Sequence, residues 1–158
     1  MSNPRITVEV DVNKGIENVW EIWNSPEHIK NWNHASDDWH TVRAENELRI
    51  GGRFFYRMEA KDGSMGFDCE AKYTEVIEYE KLEYVGLGNR TVTIEFNEMS
   101  GTTQVIETFD AENENPLELQ KAGWQAILNN FKNVKNIMHH NFSKQRQNQM
   151  LYFVFNRL

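Results

Sequence analysis

Glu107 is the residue whose placement most directly invites chemistry. It lies in phase with Val105 and Phe109, so in a strand all three share one face and a carboxylate is carried toward the interior. A buried carboxylate needs a partner or keeps its proton through a raised pKa. One reading is a polar anchor, or a general acid or base, at the floor of a pocket. The competing reading is a satisfied buried pair, for instance with an arginine, or a register shift that puts the side chain in solvent. His34, Asp37, Asp38 and His40 form a second cluster within the polar stretch 33–40. Such side chains ligate metals. No helical i, i+4 pair or CxxC partner accompanies them, and a loop of this kind is commonly just solvated, so no metal is expected. The same loop could instead cap a pocket mouth, with Trp32 and Trp39 as lids. Cys69 points inward with Phe67 and Ala71, where a thiol is inert. There is no GxSxG, phosphate loop or dinucleotide fingerprint, so no cofactor is expected and Glu107 is the only catalytic candidate.

The chain has 158 residues, 39% of them hydrophobic and 12% aromatic, which suits one globular domain with a sizeable core. Its formal net charge of −7 opposes nucleic acid and anionic membranes as partners. The single cysteine cannot form an internal disulfide, which points to a reducing compartment. Met1–Arg5 lacks an apolar signal core, and no stretch approaches the ~20 apolar residues of a membrane span. The expectation is a cytoplasmic protein without membrane insertion.

The elements that must position Glu107 follow from periodicity. Ile6, Val8 and Val10 alternate with polar residues as a half-buried strand. Asn13 is placed to cap a short helix with Ile16, Val19, Trp20 and Trp23 inside, and Ser25-Pro26 opens another carrying Ile29 and Trp32. Strands are expected at Glu47–Ile50 leading into a Gly51-Gly52 turn, then at Arg53–Ala60, Phe67–Val76, Lys81–Gly86, Thr91–Asn97 and Gln104–Asp110. Asn115 as N-cap, Pro116 at the first position and Glu118 in the first turn then start a long helix. Its apolar stripe is Leu117, Trp124, Ile127, Leu128 and Phe131.

The fold class is therefore α+β: a curved antiparallel sheet of about six to seven strands around a long C-terminal helix, with two short helices after the first strand. Alternation places Phe54, Tyr56 and Met58 on one face of their strand, and Phe67, Cys69, Ala71 and Tyr73 on one face of the next. Leu82 with Tyr84, and Val92 with Ile94 and Phe96, do likewise. With Trp124 and Ile127 opposite, these residues bound either an aromatic-walled pocket or a dry core.

Certain motifs also resemble a known family. Val19-Trp20-Glu21-Ile22-Trp23 followed by Pro26-Glu27-His28-Ile29-Lys30-Asn31-Trp32 is similar to the first helical pair of the activator of heat-shock-protein-90 ATPase homologue family. Asp37-Asp38-Trp39, Ala44-Glu45-Asn46, Gly51-Gly52-Arg53-Phe54 and Tyr56-Arg57-Met58 resemble its next strands. Glu107-Thr108-Phe109-Asp110 and Gly123-Trp124 through Phe131 resemble its ending. The resemblance covers about residues 5 to 135. It implies the helix-grip fold of the START-like (SRPBCC, birch-pollen-allergen-like) superfamily and a pocket for a hydrophobic or amphipathic small molecule, lipid-like or polyketide-like. Phe54, Tyr56, Met58, Phe67, Cys69, Tyr84, Trp124 and Ile127 would line it, with Trp32 and Trp39 as lids and Glu107 the one directional contact. A polyketide-cyclase-like enzyme using Glu107, and a co-chaperone acting through its outer surface, are the rival implications.

The domain is expected over residues 1–138. The remainder, 139–158, departs from the family pattern and contains the apolar, β-prone run Met150–Phe155. It is expected to extend the helix through Ile137 and Met138, then dock on the domain or on a second copy in a homodimer.

Overall fold

The computed structural model describes residues 4–134. The expected continuation through Ile137 and Met138 and the whole 139–158 extension lie outside the described residues. Strand β1 (Arg5–Val12) is followed by helices α1 (Ile16–Asn24) and α2 (Pro26–Trp32). Six strands then run in succession: β2 (Trp39–Asn46), β3 (Arg53–Ala60), β4 (Gly66–Ile77), β5 (Lys81–Val85), β6 (Thr91–Met99) and β7 (Thr102–Asp110). Helix α3 (Leu117–Lys132) closes the described chain. The sheet order is β1-β7-β6-β5-β4-β3-β2, antiparallel throughout, so β1 returns to pair with the last strand.

The sheet curls for local reasons. The register slips between Thr41 and Arg43 on β2 and between Tyr73 and Glu75 on β4, and such bulges bend and twist the strand. Ser100 and Gly101, both with positive φ, make the two-residue turn joining Met99 to Thr102. Along β1 and β7 every second residue is buried, and the concave face meets α1, α2 and α3 in one core. This is the expected helix-grip α+β fold.

Five local expectations are corrected. Trp39 opens a strand rather than standing in a loop, because 39–46 is β2, and Glu47–Ile50 is not a strand but part of the connection to β3. The bulge leaves Val42 and Arg43 both exposed, which erases the alternation a sequence reading relies on. In the 47–52 connection, Gly51 N–H donates to the Tyr73 carbonyl, and a Cβ on Gly52 would sit 2.2 Å from the Glu47 carbonyl oxygen. Asn13 does not cap α1: the cap position is Gly15, and Ile16 N–H donates to Glu98 at 2.9 Å. Nor does Asn115 cap α3. Pro116 holds the cap position, and Gln120, 1% exposed, satisfies the approach instead, donating to the carbonyls of Glu112 and Asn115 and accepting from Glu112 N–H. Leu117 precedes the buried face and is 44% exposed. Among the described residues no helix is long and apolar enough to cross a membrane.

Candidate functional site

β7 carries Glu107 into the interior. The residue faces Val8 of β1 and Ile94 of β6 across the sheet and is 6% exposed. Among the described residues it has no hydrogen bond and no ion pair. The arginine pairing envisaged from sequence is not formed. Arg53 and Arg57 point to the outer face, where Arg53 meets Glu70 at 2.8 Å and Arg57 meets Glu59 and Asp68 at 3.0 and 3.2 Å. Burial alone pushes the Glu107 carboxyl up to about 8, so near neutral pH it is mostly protonated.

Glu107 opens onto a cavity of about 50 Å³ between the sheet and α3. Phe54, Tyr56 and Met58 line it from β3, Cys69 and Tyr73 from β4, and Leu82 and Tyr84 from β5. Trp124 and Ile127 close it from α3, and Trp23, Trp32 and Asn33 from the α1–α2 side. Nine of the residues proposed from sequence therefore meet at one place. Sequence reasoning missed Trp23, Asn33, Tyr73 and Leu82 as lining. Tyr73 and Leu82 were signalled by sharing parity with Cys69 and Tyr84; Asn33, at the end of α2, carried no signal.

The walls are fixed by their own packing. Trp124 stacks on Phe109 at 3.9 Å, and Phe54 meets Tyr84 edge-on at 4.6 Å. Tyr73 donates its hydroxyl to Asn46 at 2.7 Å. The hydroxyls of Tyr56 and Tyr84 have no hydrogen-bond partner among the described residues. Burial holds both tyrosines well above their usual range and pushes the Cys69 thiol up to about 12, so all three stay neutral.

Two of the proposed residues lie elsewhere. Trp39 and Phe67 pack on each other, 5.8 Å between ring centres, and neither lines the cavity. Trp32 is a wall rather than a lid: it is buried, its ring N–H donates to the Ile22 carbonyl at 2.9 Å, and it packs on Trp23 and Phe131. The 33–40 stretch is tied down as well, with Asn130 of α3 donating to the His34 carbonyl. Among the described residues no group of three or more His, Cys, Asp or Glu side chains could hold a metal ion.

The model of the family described as activator of Hsp90 ATPase homolog 1-like protein matches residues 14–135. The chain belongs to this family. The solution structure of the AHSA1-like protein from Aeromonas hydrophila is 42% identical, with 89% of this chain and all of that one covered, at a TM-score of 0.80. A solution structure from Cytophaga hutchinsonii is 49% identical over 81% of this chain and 89% of that one, at a TM-score of 0.73. A crystal structure of a Nitrosomonas europaea protein, 18% identical over 81% and 91% of the two chains, shares the fold at a TM-score of 0.70. No curated protein matches the chain. For this family member the shared frame is START-like, and frames of that kind host unrelated activities, so function has to be argued from the cavity.

Proposed function

We propose that the chain is a small-molecule-binding module that holds an apolar or aromatic ligand between its sheet and α3. The observation that carries this reading is a buried carboxyl without a partner, facing a cavity whose other walls are largely aromatic. Apolar walls with few polar groups are what ligand sites use for affinity and orientation. The volume sets the scale. At roughly 10–15 Å³ for one water-sized group, about 50 Å³ takes a compact group; a lipid-sized or polyketide-sized molecule needs wall side chains to move. Native mass spectrometry of protein purified from its own host tests the reading. A stoichiometric co-purifying hydrophobe is the expected result. A clean apo mass, with no thermal shift across a library of small aromatic and aliphatic compounds, overturns it.

One observation favours a second reading, an acid–base enzyme of the polyketide-cyclase kind using the same cavity. A carboxyl raised to about 8 is poised to exchange protons near neutral pH. Turnover of a bound ligand that disappears in Glu107→Gln while binding persists would establish it. Binding without chemical change in the parent protein leaves the module reading alone.

A further inference from the structure

Seven of the thirteen cavity-lining residues are aromatic, and not one is Lys, Arg or His. Aromatic faces carry negative potential and attract cations within about 6 Å of the ring centre. The polar groups that remain open are the Glu107 carboxyl, the hydroxyls of Tyr56 and Tyr84 and the ring N–H groups of Trp23 and Trp124; none of them can carry a positive charge, and the carboxyl and hydroxyls can accept hydrogen bonds. The amide of Asn33 is turned toward Thr41 and Met58, and the ring N–H of Trp32 is held by the Ile22 carbonyl. An anionic ligand thus finds neutral donors only, beside ring faces and a carboxyl that oppose its charge, whereas a cation finds in Glu107 a group able to take the opposite charge. From this geometry we infer that the ligand is an organic cation: a protonated amine on a compact apolar body, its N–H groups on Glu107, Tyr56 and Tyr84 and its body against the aromatic walls. The inference rests on the binding-module reading and names that ligand's chemical class.

Matching donors to acceptors supports a primary or secondary ammonium over a quaternary one. A primary ammonium has three N–H donors, as many as the open acceptor groups. Charge bookkeeping gives the signature. Without ligand, Glu107 keeps its proton near neutral pH. A cation is held best by the carboxylate, so binding expels that proton, and affinity rises with pH until the carboxyl is already ionised. The groups facing Glu107 do not blur this. Tyr56 on β3, Tyr73 and Cys69 on β4 and Tyr84 on β5 are all pushed up by burial and stay neutral beyond pH 9; Arg90 acts on Cys69 only to oppose that rise. Val8 of β1, Ile94 of β6, and Trp124 and Ile127 of α3 have no titrating group.

Four probes with one tert-butyl body separate the alternatives: tert-butylammonium, tert-butanol, the ketone pinacolone and pivalate. Each is titrated into the full chain at pH 6, 7 and 8.5 while the indole N–H signals of Trp23 and Trp124 are followed by NMR. The expected result is that tert-butylammonium binds at least tenfold tighter than the other three at pH 8.5. Its affinity should rise roughly tenfold per pH unit up to about pH 8, and Glu107→Gln should lose both the affinity and the pH dependence. A longer hexylammonium that binds tighter still would identify the ammonium as the head of a larger molecule, with the inference intact. Pinacolone binding at least as well as the cation at pH 7, and weakening as pH rises, would overturn the cation inference and leave the binding module standing. If no probe moves either indole signal in folded protein, both readings fall.

Discussion

The groove between sheet and α3 is aromatic at both ends, yet the two ends differ in kind. Toward α1 and α2, Trp23, Trp32 and Phe131 pack with ring centres 4.9 to 5.0 Å apart, and Phe96 and Trp20 continue the cluster at 5.4 Å. Toward β3, β4 and β5, Phe54, Tyr56, Tyr73 and Tyr84 pack at similar distances, 4.6 to 6.2 Å. The second set carries phenolic tips, and it shares its space with Glu107. In the first set no ring carries a hydroxyl, the Trp32 N–H is satisfied by the Ile22 carbonyl, and the rings interdigitate around Phe131. Tips that must avoid apolar contact hold space open, and the cavity lies where they gather. The difference is therefore written in three tyrosine hydroxyls and one carboxyl, not in the amount of aromatic surface.

Breaking the dry end should have the largest effect. Phe131 is 1% exposed and sits between two tryptophans, so Phe131→Ala should cost about 3–5 kcal/mol in chemical denaturation. A loss under about 1 kcal/mol would mean that this end is no better packed than the other. Glu107→Gln probes the cavity end through pH. Below about 4.5 the carboxyl is protonated in folded and unfolded chains alike and contributes nothing to the pH dependence. Between about 4.5 and 8 the unfolded chain ionises while the folded one keeps its proton, so the parent loses stability as pH rises, by at most about 1.4 kcal/mol per unit. Above 8 the loss levels off. Glu107→Gln removes this slope, so its advantage should grow from near zero at pH 5 to several kcal/mol at pH 8.5. Parallel denaturation midpoints at the two pH values would show that Glu107 is solvated or paired in solution. Smaller again, Gln120→Ala should cost about 2–3 kcal/mol, because the half-buried carbonyl and N–H of Glu112 and the Asn115 carbonyl lose their partner together; an unchanged midpoint would mean water replaces the amide.

Gln120 also marks where the sequence stops being legible. The helix starting near Pro116 was readable from proline placement and apolar spacing, but the start is stabilised by a side chain one turn inside it, and cap rules look only at the boundary. β2 was lost for a similar reason: pairing with β3 holds it, while the bulge after Thr41 scrambles its alternation. The inward faces of β3, β4, β5 and β7 were readable because a period of two survives wherever one face is buried. That parity carried Glu107, Tyr56, Cys69 and Tyr84 to one place. It could not show which inward residues meet the cavity, since Phe67 shares the parity of Cys69 yet packs on Trp39 two residues further along the groove. Nor could it show that Glu107 lacks a partner, because partners come from strands remote in the chain.

The smallest predicted effects compare two tyrosines that face each other across one strand pair. Tyr73 on β4 lies opposite Tyr84 on β5, with ring centres 6.2 Å apart. Both bury a ring against Phe54, so removing either oxygen leaves the aromatic packing in place. They differ in what the oxygen does. Tyr73 donates to Asn46, whose amide in turn donates to the Asn24 carbonyl at the end of α1, so Tyr73→Phe breaks a chain joining sheet to helix. It should cost about 1–2 kcal/mol, the net hydrogen bond plus an acceptor left unpaired. The Tyr84 hydroxyl has nothing to lose, and Tyr84→Phe should leave the denaturation midpoint unchanged within about 0.5 kcal/mol or raise it slightly by removing an unsatisfied polar group. The same Tyr84→Phe protein should bind tert-butylammonium several-fold more weakly, since one acceptor of the ammonium is gone. A stability loss equal to that of Tyr73→Phe, with binding unaffected, would mean the Tyr84 hydroxyl is already spent on a structural partner, and the polar end of the groove would then be core in the same sense as the dry one.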